Sequence, residues 1–71
     1  MITSMEKIRD VFKIGQKFNV DIENVNGHGE GIAKIEKFGK QFLVFVPGAE
    51  IGHCKIEITH IYNTYLYGKK V

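Results

Sequence analysis

A run of five apolar residues, Phe42 to Val46, limits the possible folds of this chain more than any other feature. Apart from Leu43, its residues are aromatic or β-branched, and Pro47-Gly48 ends it abruptly, so the run predicts a strand followed by a turn. Because neighbouring residues of a strand point to opposite faces, this strand needs apolar surroundings or a bound partner on both sides. Either it is buried on both faces, or it presents Phe42 or Phe45 at the surface as a platform for a flat ligand.

Length and composition indicate a single small folded domain. A chain of 71 residues can build only a small core, and its single cysteine, Cys54, excludes an internal disulfide and a zinc site made of several thiolates. Apolar residues make up 44% of the chain and charged residues 25%, as in ordered domains. The apolar runs are too short to span a membrane, and charged residues interrupt the place of a secretion signal. We therefore expect a cytoplasmic protein that makes no membrane contact.

The first thirteen residues predict a short amphipathic helix, which we treat as an extension (1–13) of the main domain (14–71). Thr3 begins a capping-box pattern, and Ile8, Val11 and Phe12 recur at helical spacing. This segment could dock on the domain and close one end, form a dimerisation patch, or fray in solution.

From residue 14 onward the pattern is one of strands and turns. Apolar and polar residues alternate in short segments, and turn residues such as Asn26-Gly27 separate them. The alternation breaks at His60-Ile61, which predicts a bulge. Five short strands of this kind predict an all-β fold, a small five-stranded OB-like β-barrel. The expected strands are 16–23, 32–36, 42–46, 54–61 and 64–68.

Two tyrosines and three lysines are the candidate ligand-binding residues by their chemistry. Tyr65 and Tyr67 share one face of the last strand, where they could stack on bases or simply cover the end of the barrel. Lys34, Lys37 and Lys40 surround one hairpin, either as a solvated edge or as phosphate contacts. A net charge of +2 does not by itself indicate nucleic acid, so stacking would have to carry much of any affinity for RNA.

Catalysis and metal binding are not expected. The three histidines fall in different loops and strands, and nothing around Cys54 resembles a base and its orienting partner. The glycine-rich stretch 24–31 matches no phosphate-binding motif and precedes no helix. We therefore expect no catalytic residue, no metal site and no cofactor.

Several motifs in the right order resemble the TRAM domain family, over roughly residues 14–68. They are GxGIA at Gly29–Ala33, FVPGA at Phe45–Ala49, and a glycine at Gly52. The resemblance is closest to the small stand-alone archaeal proteins of that family. It implies an OB-like barrel that binds RNA, as do TRAM domains appended to tRNA- and rRNA-modifying methyltransferases.

The resemblance also implies a function and a set of RNA-binding residues. Stand-alone TRAM proteins are similar in role to cold-shock RNA chaperones, which predicts a monomer that binds single-stranded or tRNA-like RNA. A module that delivers RNA to an RNA-modifying enzyme and a protein-interaction module are the alternatives. The implied stacking residues are Phe42, Phe45, Tyr65 and Tyr67, with Lys34 beside them. Of the two phenylalanines, we expect Phe42, more than Phe45, to lie at the surface.

Overall fold

The computed structural model describes residues 11–71, which form a single six-stranded sheet. Most of the helix expected over residues 1–13 lies outside the described residues. Within the described range, no helix is long and apolar enough to cross a membrane. The strands are β1 (Lys17–Ile22), β2 (Asn24–Val25), β3 (Glu30–Lys37), β4 (Lys40–Pro47), β5 (Gly52–Ile61) and β6 (Tyr65–Lys70).

The sheet curls until its two ends meet, which gives the OB-like barrel that the sequence predicted. The strand order is β1-β5-β6-β4-β3-β2, so β1 and β2 lie at opposite ends of the sheet although only Glu23 separates them along the chain. The Glu23 N–H donates to the carbonyl of Ile32 at 2.9 Å and continues the pairing of this end with β3. Six strands replace the expected five because the chain bends at Glu23, where the first expected strand ends, and the next two residues, which were expected in a connection, pair with β3 as β2.

Alternating residues of the strands fill the core, as the periodicity predicted. The side chains of Val20 and Ile22 on β1 and of Val44 and Val46 on β4 point inward, while the residues between them face outward or lie partly exposed. Burying one such side chain contributes about 1.5–3 kcal/mol to the free energy of folding. The core of this small domain contains few of them, so each one matters for stability. The largest fully buried side chains are Phe12, Ile22, Val44, Val46, Ile56, Ile58 and Leu66.

Two local features shape the strand ends. Phe38 and Gly39 form a two-residue turn with φ angles of 53° and 75°, and Lys37 pairs with Lys40 across it. Positive φ at both central positions is typical of the turns whose twist matches a hairpin, and it lets β3 and β4 pair along their whole length. The predicted bulge is present as a shift in the β5–β6 register between Ile58 and His60.

Gly31 lets the bend of the first strand approach β3. A Cβ atom at this position would lie 2.8 Å from Cγ2 of Ile22 and 3.0 Å from both Cβ and the carbonyl oxygen of Ala49. These neighbours are a buried core side chain and a backbone segment, so neither can move freely to make room. The glycine of the GIA motif is therefore required by packing.

We expect Gly31→Ala to lower the free energy of unfolding by about 1–3 kcal/mol, because the added methyl group overpacks the barrel. Gly27→Ala is the matched control, since a Cβ there meets nothing within 4 Å. Chemical denaturation of both variants measures the difference. Equal stability of the two would show that the barrel relaxes around Gly31 without cost.

Candidate nucleic-acid interface

Four aromatic rings lie together on the outer face of β4, β6 and the turn before β6; we call Phe45, Tyr62, Tyr65 and Tyr67 the aromatic platform. The Phe45 ring centroid is 5.5 Å from that of Tyr65 and 5.6 Å from that of Tyr67. Tyr62 stacks on Tyr65 with centroids 4.8 Å apart and lies 5.8 Å from Tyr67. Such separations are typical of aromatic pairs in direct contact, so the rings form one continuous surface.

The platform exists because β4 and β6 pair in parallel. Their register sets Phe45 opposite Tyr67 and Leu43 opposite Tyr65. These residues are on the outward phase of their strands, while Leu66 between the two tyrosines is fully buried. Side chains that are distant in sequence therefore meet on one face.

Tyr62 and His60 are members of this surface that the sequence analysis missed. The backbone N–H of Tyr62 donates to the carbonyl of Tyr65 at 2.9 Å, and this tight turn folds the Tyr62 ring over Tyr65. The imidazole of His60 stacks on Tyr62 with centroids 6.1 Å apart and an interplanar angle of 14°. Tyr62 remains 43% exposed. The density of aromatic residues in the segment 60–67 was the available signal.

A carboxylate lies at one edge of the platform. The hydroxyl of Tyr67 donates to Oε2 of Glu30 at 2.7 Å, and Nδ2 of Asn26 donates to Oε1 of the same residue at 2.8 Å. Oδ1 of Asn26 in turn accepts from the backbone N–H groups of His28 and Glu30, at 2.9 and 3.0 Å. The glycine-rich loop thus holds Glu30, and Glu30 holds the Tyr67 ring.

These hydrogen bonds shift the pKa values of both partners. The hydroxyl of Tyr67 and then the amide of Asn26 hold the pKa of Glu30 below its usual value, because both donate to the charged form. The Glu30 carboxylate raises the pKa of Tyr67 to about 12, because it accepts a hydrogen bond that only the protonated phenol can donate. At neutral pH the platform therefore carries a neutral phenol beside an ionised carboxylate.

Phe42 lies elsewhere, which corrects our expectation that it, more than Phe45, would lie at the surface. Its ring packs edge-on against the fully buried Phe12, with centroids 5.1 Å apart, and it belongs to the border of the core. Phe42 and Phe45 lie three residues apart on a regular strand and so point to opposite faces. Phe45 is the one that joins the tyrosines.

The three lysines of the hairpin do not form one cluster. Lys34 is exposed and pairs in register with Leu43, which pairs in turn with Tyr65, so it lies in line with the platform. Lys37 instead places Nζ over the rings of Phe12 and Phe18, 5.5 and 5.7 Å from their centroids. Lys40 is exposed at the turn, opposite Lys37.

The Glu30–Tyr67 hydrogen bond predicts an alkaline signature. Since the pKa of Tyr67 in the folded protein lies above the ordinary 10, the bond's contribution to stability is complete below pH 10 and disappears as the pH rises through about 12. Absorbance titration of the tyrosines should show this late step, and Tyr67→Phe should remove it. Glu30→Gln should move the step toward pH 10; a step left unmoved would contradict the assigned cause.

Comparison of the sequence with known proteins shows the family of this chain. The sequence model of the TRAM domain matches residues 11–71. The translation initiation factor 2 subunit beta of Methanothrix thermoacetophila is 34% identical over 64 residues, which cover 89% of this chain and 29% of that protein. An uncharacterized RNA methyltransferase of Caldanaerobacter subterraneus subsp. tengcongensis is 40% identical over 60 residues, which cover 83% of this chain and 12% of the methyltransferase.

The chain thus spans less than a third of the length of each of these two relatives. The family match, in contrast, extends over the whole described range, and the strand order found here is that of an OB-like barrel. The chain belongs to the TRAM domain family.

Proposed function

We propose that the aromatic platform stacks on unpaired bases of RNA and that the protein acts as an RNA chaperone without a chemical step of its own. The observation that carries this proposal is the contact between Phe45, Tyr62, Tyr65 and Tyr67 on the outer face of a barrel whose other large aromatic residues pack inward or lie at a turn. Every base has a face to stack, so such a surface binds RNA with little sequence selectivity.

Energy and charge favour stacking as the main source of affinity. Each base stacked on an aromatic side chain contributes about 1–3 kcal/mol, so three bases that stack near the upper end of that range give micromolar binding with few ion pairs. We assign a phosphate contact to Lys34, which lies in line with Tyr65, and a weaker one to Lys40. Lys37 is engaged with Phe12 and Phe18 and contributes less.

Chaperone action follows from binding the open form of an RNA. A protein that binds unpaired bases lowers the free energy of melted structures by mass action, and needs no ATP to do so. Structured RNA such as tRNA would be bound at its loops and ends, where bases are unstacked. We propose that the protein acts in the cytoplasm, as its composition predicts, and as a monomer, as the resemblance to stand-alone TRAM proteins implies.

The second candidate function is delivery of RNA to an RNA-modifying enzyme. It is favoured by the match to a short part of a protein named as an RNA methyltransferase. Delivery would use the same platform, and it adds a catalytic partner. The two candidates differ in whether the protein alone changes the structure of an RNA.

Phe45 and Phe42 offer a matched pair of substitutions on one strand. Phe45→Ala should weaken the binding of an unstructured RNA heptamer about tenfold, because one stacking surface is lost. Phe42→Ala should leave RNA affinity unchanged in the folded protein and lower the free energy of unfolding by about 2 kcal/mol, because it opens a cavity against Phe12. Fluorescence anisotropy and thermal unfolding measure the two effects; the reverse pattern would remove Phe45 from the site.

A hairpin RNA that carries a fluorophore and a quencher at its ends tests the chaperone function. The wild-type protein should lower the melting temperature of the hairpin in proportion to protein concentration and in the absence of ATP. Tyr65→Ala/Tyr67→Ala should abolish the effect, whereas Phe38→Ala, which removes an exposed ring at the hairpin turn outside the platform, should retain it. Tight binding of the hairpin without any melting would favour the delivery function.

A further inference from the structure

The Glu30 carboxylate is placed where a stacked base would present its edge. It accepts a hydrogen bond from the Tyr67 hydroxyl, at the rim of one platform ring. The centroid of the Phe45 ring lies 5.6 Å from the centroid of the Tyr67 ring. Glu30 is on the outward phase of β3, two residues before Ile32, whose register partner is Phe45. A base that stacks on Tyr67 or Phe45 therefore meets this carboxylate with one of its edges.

The carboxylate still has free hydrogen-bonding capacity. Each oxygen of an ionised carboxylate can accept about two hydrogen bonds, and the structure assigns one to each: Asn26 to Oε1 and Tyr67 to Oε2. As far as residues 11–71 are concerned, one acceptor position per oxygen remains, on a side chain that is only partly buried. Because these two bonds fix the carboxylate in place, it can bind a ligand with little loss of side-chain freedom.

The bases differ in what they offer to such a pair of acceptors. Guanine carries the N1–H and N2–H₂ donors side by side on its Watson–Crick edge, spaced to match the two oxygens of a carboxylate. Adenine and cytosine place one amino group beside an unprotonated ring nitrogen, and uracil sets its N3–H between two carbonyl oxygens. An anionic acceptor therefore favours guanine and disfavours uracil.

Resting on the stacking function proposed above, we propose that Glu30 is a specificity-determining residue that selects guanine among the bases stacked on the platform. The barrel then binds RNA through any base but prefers strands that offer an unpaired guanine to Tyr67. The lowered pKa of Glu30 is in keeping with this role, because it leaves the carboxylate ionised at neutral pH.

Labelled RNA heptamers that differ only at the central base test the proposal by fluorescence anisotropy. The flanking residues are uridines, and the central base is guanine, hypoxanthine (as inosine), adenine or uracil. Inosine is the sharpest comparison, because it retains the ring system and N1–H of guanine and lacks only the N2 amino group. We expect the guanine heptamer to bind the wild-type protein on the order of tenfold more tightly than the inosine heptamer.

Two variants separate base selection from a purely structural role of Glu30. Glu30→Gln can still accept the Tyr67 hydroxyl, and it should reduce the preference for guanine over inosine to less than twofold. Tyr67→Phe keeps the ring and the carboxylate, so the preference should persist in it. If Glu30 only orients Tyr67, both substitutions will change the affinities for all four heptamers by the same factor, and the proposal fails.

The wild-type comparison can overturn the proposal by itself, should a variant not fold. Equal binding of all four heptamers would overturn the selection of guanine and leave the stacking function intact. A guanine preference that survives in folded Glu30→Gln would assign the selection to another group and overturn the proposal. Absence of binding to every heptamer would instead contradict the proposed function itself.

Discussion

The parallel pairing of β4 with β6 is the contact on which both the barrel and its aromatic surface depend. It joins the β1-β5-β6 part of the sheet to the β4-β3-β2 part, and it is the one parallel pair among the described strands. The same register sets Phe45 opposite Tyr67 on the outer face and Val44 opposite Leu66 in the core. The same pairing therefore closes the fold and brings the platform together.

The central strand β4 has one face in the core and one face on the outside of the barrel, as strands of a closed barrel do. Val44 and Val46 are fully buried, while Leu43 and Phe45 lie on the other face. Glycine permits the tight curvature that this arrangement needs, since a side chain at Gly31 would collide with Ile22. The alternation of residues thus separates the core side chains from the side chains of the proposed binding face, and a shift of one residue in register would exchange the two sets.

The platform is held in place by polar contacts from the glycine-rich loop. Asn26 organises the loop, its side chain binds Glu30, and Glu30 binds the hydroxyl of Tyr67. The N–H of Gly48 donates to the carbonyl of Gly29 at 2.9 Å and ties the same loop to the end of β4. A ring fixed in this way loses little freedom when a base stacks on it, which favours binding.

The alternation of apolar residues was enough to predict the strands, the OB-like barrel and the common face of Tyr65 and Tyr67, because side-chain direction in a strand is a local property. The motifs GxGIA and FVPGA were enough to indicate the family. The sequence did not decide which phenylalanine faces outward, nor did it bring Tyr62 and Glu30 to the site. Those placements depend on the β4–β6 register and on the turn and loop contacts, which join residues distant in sequence; only the tertiary structure determines them.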